Sequence, residues 1–112
     1  MDEKRRTPRV NVFASIKLAN SREAVQLDGF IENISVGGLG IVLPKLITVG
    51  TIFTCNFTLG SENEVLTPLG RTVHIKNDAN SLLYYGLRFD HITERDISII
   101  SDYVNSHSHR KI

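Results

Sequence analysis

The 112-residue chain is 41% hydrophobic and carries a formal net charge of +1, which is enough for one globular domain with one core. No apolar run nears the ~20 residues that span a bilayer, so membrane insertion is not expected, and near-neutral charge leaves no protein-wide field for DNA or RNA. Cys55 is the only cysteine, which excludes an intramolecular disulfide; with no apolar stretch behind Met1–Arg6 to read as a secretory signal, a cytoplasmic location is expected.

Residues 1–9 form the first segment, expected to be a flexible arm. Lys4, Arg5, Arg6 and Arg9 place four cations within six residues. Pro8 holds its own φ near −65° and biases Thr7 toward extended geometry, so the segment reads as an extended arm rather than a helix. Such a patch suits a small anion, although an N-terminal basic cluster alone is more often a solvated tail.

From Val10 the dominant period is two, the mark of half-buried strands. Val10, Val12, Ala14, Ile16 and Leu18 fall on one face of a first strand. A second runs over Val25 to Ile34 and a third over Leu39 to Leu43. A fourth, Thr51 to Leu59, alternates Phe53, Cys55, Phe57 and Leu59 with polar residues. The fifth lies within Val65 to Lys76, where Pro68 cannot donate a ladder hydrogen bond and so marks a bulge or an edge. Leu83, Tyr85, Leu87 and Phe89 define a sixth. Turn residues separate all six, and no helix intervenes, so the pairing is antiparallel and closure into a barrel hides the sheet edges. After Asp90 the period changes: Thr93 and Asp96 resemble a capping box, and Ile97, Ile100 and Val104 recur at helical spacing with Tyr103. The fold class predicted is all-β: a six-stranded antiparallel barrel over residues 10–105 with one C-terminal helix of ten to twelve residues, then a disordered tail, 106–112.

Two polar constellations stand out. Arg5 and Arg9 form Arg-x-x-x-Arg; each guanidinium is a planar five-donor fork that grips phosphate, pairs with guanine O6 and N7, or stacks on a purine. Asn33-Ile34-Ser35-Val36-Gly37-Gly38 follows one strand later. Asn33 and Ser35 share a face, where an amide and a hydroxyl can meet a base edge or a phosphate, while Gly37 and Gly38 permit positive φ and admit a ligand without meeting a Cβ. Taken alone, this is also what an ordinary hairpin end looks like.

In combination, Arg-x-x-x-Arg, a strand, Asn-x-Ser-x-x-Gly, a barrel and a terminal helix resemble the PilZ family from about Lys4 to Asn105. Gly86-Leu87-Arg88-Phe89 looks like that family's closing strand, and Leu46 to Thr51 resembles its link between strands three and four. The resemblance implies a non-enzymatic bacterial receptor for cyclic di-GMP, needing no cofactor or metal. Arg5 and Arg9 would engage guanine and phosphates; Asn33, Ser35 and Gly38 would receive the other contacts. Position 33 is Asn where many members carry Asp, which weakens its contacts to guanine N–H donors. Lys4 and Arg6 flank the motif as accessory cations, and Gly37 lies beside Gly38. His74 has the outward parity of Thr72 and Lys76, where some members present an aromatic to a base; Arg71, of opposite parity, is structural or reaches the ligand at the rim. The arm would order over the ligand, and the change would be read by an effector protein, with the chain a monomer or homodimer. The alternative is an adaptor of the same fold that docks on a partner without nucleotide. An oligonucleotide-binding barrel would expose several aromatics on its strands, whereas most of the Phe and Tyr here have inward parity. Asn33-Ile34-Ser35 and Asn56-Phe57-Thr58 match the glycosylation sequon by coincidence, and His107 and His109 make a poor metal site. Asp28 and Glu32 share a strand parity without a nucleophile beside them.

Overall fold

A computed structural model describes residues 8–20, 22–60, 64–77 and 82–108. The alternating segments become β1 (Val10–Asn20), β2 (Val25–Ser35), β3 (Gly38–Leu43), β4 (Ile52–Asn56), β5 (Leu69–Asn77) and β6 (Leu83–His91), followed by helix α1 (Glu94–Ser108). All pairs are antiparallel, and the order β1-β2-β3-β6-β5-β4 closes because β4 returns to β1 through Leu18↔Cys55. The fold class expected from alternation is therefore the one observed. Closure gives every strand a partner on both sides, with β1 meeting β4 over residues 17–19.

The inward residues supply the core. Ile16, Leu18, Ile31, Ile34, Ile41, Leu43, Phe53, Cys55 and Leu87 are almost wholly buried, and Ile100 and Val104 of α1 complete the cluster. Two buried polar residues are satisfied inside it. Tyr85 Oη donates to the Lys45 carbonyl at 2.9 Å and accepts the Ile47 N–H at 2.7 Å. Thr72 Oγ1 accepts the N–H groups of Gly50 (3.0 Å) and Thr51 (3.2 Å) and donates to the Thr48 carbonyl (3.2 Å), pinning the β3–β4 link to β5. Gly50 turns that link at φ +100°, where a Cβ would be strained.

Several expectations need correction. Pro68 lies just outside β5, where its carbonyl accepts the Cys55 N–H at 2.9 Å, so it is neither bulge nor edge within that strand. The bulge in β5 is at Val73, between Thr72 and His74. Thr72 is fully buried, so it does not share His74's outward face. The fourth strand stops at Asn56, beyond which Phe57 makes only an isolated bridge to Leu66.

The helix is longer than ten to twelve residues. Thr93 Oγ1 accepts the Asp96 N–H at 3.1 Å, as a helix N-cap does. The Asp96 carboxylate does not return the bond; it is buried and accepts from the Thr67 N–H (3.2 Å) and from Arg95 (2.9 Å), tying α1 to the segment before β5. Ile97, expected on the packed face, is 38% exposed. At the far end the His107 ring stacks on Tyr103 at 3.9 Å, with Nδ1 2.8 Å from the Tyr103 carbonyl. Residues 106–108 thus belong to α1 rather than to a tail, and 109–112 lie outside the described residues. Among the described residues no helix is long and apolar enough to cross a membrane.

Candidate functional site

Register across the barrel aligns one row of outward residues over four strands. Asn33 of β2 pairs with Gly40 of β3, Gly40 with Gly86 of β6, and Gly86 with His74 of β5. Bulges in β2 and β5, at Glu32 and Val73, set both ends of the row. A bulge re-aims the residues that follow it, and here it turns two planar side chains over the glycines between them. A Cβ on Gly40 would lie 2.7 Å from Asn33 Oδ1, and one on Gly86 would overlap the His74 ring. The result is a cleft of about 640 Å³ with a glycine floor.

The next row is Ser35, Gly38, Arg88 and Arg71. Ser35 is buried, and its Oγ accepts the Gly37 N–H at 3.2 Å, closing the turn between β2 and β3. The Gly37 carbonyl accepts the Phe89 N–H at 3.0 Å, which holds the turn against β6. Gly38 has no room for a Cβ because the Leu87 carbonyl occupies that place. Neither Gly37 nor Gly38 uses positive φ; the left-handed glycines are Gly50 and Gly60. The demand for glycine at position 38 is strand contact, not turn geometry.

At the N-terminal side Arg9 Nη1 donates to Asn33 Oδ1 at 3.2 Å, so the second arginine of the arm reaches the start of the Asn-x-Ser-x-x-Gly turn. Arg9, Asn33, Ser35, Gly37, Gly38 and His74 all line the same cleft. Arg71 does not; it pairs with Asp90 at 2.9 Å beside it. Lys4, Arg5 and Arg6 lie outside the described residues.

The cleft also holds residues that sequence reasoning did not single out for it. Arg88 and Lys76 add cations that have no ion pair among the described residues, and Tyr84 adds an aromatic wall. Glu32 is the one carboxylate among the lining residues. Gly38 and Gly40 are two apart on one strand, which signals an open strip; Arg88 had no such signal, because its place opposite Gly38 depends on the β3–β6 register. With Arg9, Lys76 and Arg88 against one carboxylate, the cleft is electropositive and suited to an anion carrying planar rings.

A profile of the PilZ domain family matches residues 3–106. The chain belongs to the PilZ family. Its barrel is similar to solved PilZ-type structures at low sequence identity. The Bacillus subtilis inhibitor of motility, MotI/DgrA, superimposes with a TM-score of 0.85 at 17% identity, over 98% of this chain and 54% of that one. The PilZ domain of YcgR from Escherichia coli, solved with c-di-GMP, gives 0.77 at 14% identity, over 97% and 95%. The K. pneumonia MrkH–c-di-GMP complex gives 0.74 at 15%, over 100% and 56%. This PilZ domain thus spans about half the length of the inhibitor of motility and of MrkH. No curated protein sequence matches it.

Proposed function

We propose that this PilZ domain is a non-enzymatic receptor for cyclic di-GMP. The observation that carries the reading is the meeting of Arg9 and Asn33 at 3.2 Å over an electropositive, glycine-floored cleft. The complexes of the YcgR and MrkH proteins with c-di-GMP support it. A cyclic dinucleotide presents two phosphates and two purines, and the cleft answers with Arg forks, planar side chains and a floor free of Cβ atoms. Arg9, with Arg5 from the arm, grips phosphate and the guanine acceptor edge. Asn33, Ser35 and Gly38 shape the opposite side, the His74 ring offers a stacking face over Gly86, and Arg88 and Lys76 add charge. Lys4, Arg6, Gly37 and Arg71 are accessory.

Ordering of the arm over the ligand makes binding and conformational change one event, which an effector protein then reads. Calorimetry on the purified chain tests this. Micromolar or tighter binding is expected, abolished by Arg9→Ala and strongly weakened by Arg5→Ala; no heat from the wild type overturns it.

The second reading, a nucleotide-independent adaptor, has one observation in its favour. Phe13 and Phe30 point outward from β1 and β2, 90% and 59% exposed. A partner captured equally by wild type and Arg9→Ala, with and without nucleotide, would support that reading.

A further inference from the structure

We infer that Glu32 makes the cleft selective for guanine, by accepting from the donor edge of the base, which Asn33 as a neutral amide serves only weakly. The inference rests on the cyclic di-GMP reading above and deepens it. It starts from an apparent mismatch of charge. Among residues lining the cleft, Arg9, Lys76 and Arg88 are cationic and Glu32 alone is a carboxylate. Beside a phosphate, a carboxylate repels; it is useful where a ligand presents hydrogen-bond donors, such as the N–H groups of a base.

The backbone holds Glu32 at the cleft. In β2 the ladder to β3 jumps from Ile31↔Ile41 to Asn33↔Gly40, so Glu32 is the extra residue of a bulge. On the other side the ladder to β1 jumps from Asn11↔Asn33 to Ala14↔Ile31, leaving Glu32 opposite Val12 and Phe13. Strict alternation would put Glu32 and Asn33 on opposite faces. The bulge lets both border the cleft, with Glu32 exposed and without an ion pair among the described residues.

The neighbouring amide is partly engaged. Asn33 Oδ1 accepts from Arg9, which leaves one lone pair of a neutral oxygen and the NH₂ group for a ligand. An NH₂ group serves acceptors such as guanine O6 and N7, not donors. Guanine's remaining groups, N1–H and the 2-amino, lie side by side and match the two oxygens of a carboxylate. Adenine offers an unprotonated N1 and lacks the 2-amino group, so it gains nothing from Glu32. Asn33 and Glu32 together would read both sides of one guanine, and Glu32 would supply the charge that position 33 lacks as an amide.

The test is calorimetry on the full chain with cyclic di-GMP, cyclic di-AMP and cyclic di-IMP, whose base is guanine without its 2-amino group. The wild type should favour cyclic di-GMP over cyclic di-IMP by about tenfold or more. In Glu32→Ala that preference should vanish, because cyclic di-GMP loses both carboxylate contacts whereas cyclic di-IMP, which keeps N1–H, loses one. Glu32→Gln should fall close to Glu32→Ala. Because Glu32 is exposed, both variants should melt like the wild type. A wild type that binds, with the preference intact or affinity increased in Glu32→Ala, overturns this inference alone. A wild type that binds none of the three overturns the reading of the cleft, and this inference with it.

Discussion

Gly38 and Gly86 sit on neighbouring rows of the sheet, and the missing side chain serves a different neighbour at each. At Gly38 a Cβ would meet the Leu87 carbonyl, a backbone atom fixed by the β3–β6 ladder. At Gly86 it would meet the imidazole of His74, the free end of an exposed side chain. Overpacking against backbone forces strands apart, whereas a surface ring can rotate away. Gly38→Ala is therefore expected to destabilise the fold by about 1–3 kcal/mol in urea denaturation. Gly86→Ala should leave the urea midpoint nearly unchanged and weaken cyclic di-GMP binding by lifting His74 off its floor. Equal midpoints for the two variants would refute the distinction.

Among the elements, the pin from Thr72 to the β3–β4 link allows the sharpest test. Its hydroxyl is the acceptor for two backbone N–H groups, those of Gly50 and Thr51, in a part-buried setting. Thr72→Val keeps shape and volume but deprives both donors of that acceptor, although Gly50 N–H also reaches the Thr72 carbonyl at 2.8 Å. A loss of about 1–3 kcal/mol is expected, with Gly50 and Thr51 amide exchange accelerated more than that of the core strands. At this scale the sequence was legible in proportion to the regularity of each strand. The two-residue period placed all six strands and most of the core, because burial of one face obeys that period directly. It misplaced Thr72, since the bulge at Val73 inverts parity and leaves no mark on an alternating pattern. The same cause kept Glu32 apart from the site: period two put it with Asp28 on one face and Asn33 on the other, and only the bulge unites them. Arg9, Asn33, Ser35 and Gly38, which line one cleft, drew notice in the sequence because they stand in short local motifs; Arg88 lines it too, through register, a long-range property. The last turn of α1 was missed because stacking of His107 on Tyr103, rather than apolar periodicity, accompanies it.

For the molecule as a whole, stability depends on a core that encloses the thiol of Cys55. Cys55 faces inward on β4 opposite Leu18 of β1, at the seam that closes the barrel, and is fully buried. Burial pushes its thiol up from 9.0 to about 12, since a thiolate there would lose its hydration. The unfolded chain, with an ordinary thiol, gives up that proton first as pH rises. Below pH 9.0 both states hold the proton and the thiol contributes no pH dependence. Between 9.0 and about 12 the unfolded state binds fewer protons, so stability falls by about 1.4 kcal/mol per pH unit from this group. Above the folded-state value the seam itself would have to ionise, and the slope ends. Cys55→Ala removes the titration at the cost of a small cavity, so the two proteins should differ in slope as well as in absolute stability. Urea midpoints at pH 7 and pH 10 measure this. The wild type should lose about 1.4 kcal/mol more than Cys55→Ala across that interval, and parallel losses would show that the thiol ionises in the folded barrel. The same burial makes the thiol a reporter of closure. Alkylation at neutral pH should proceed only through opening of the β1–β4 seam, so its rate should track global unfolding and fall when a ligand stabilises the folded state.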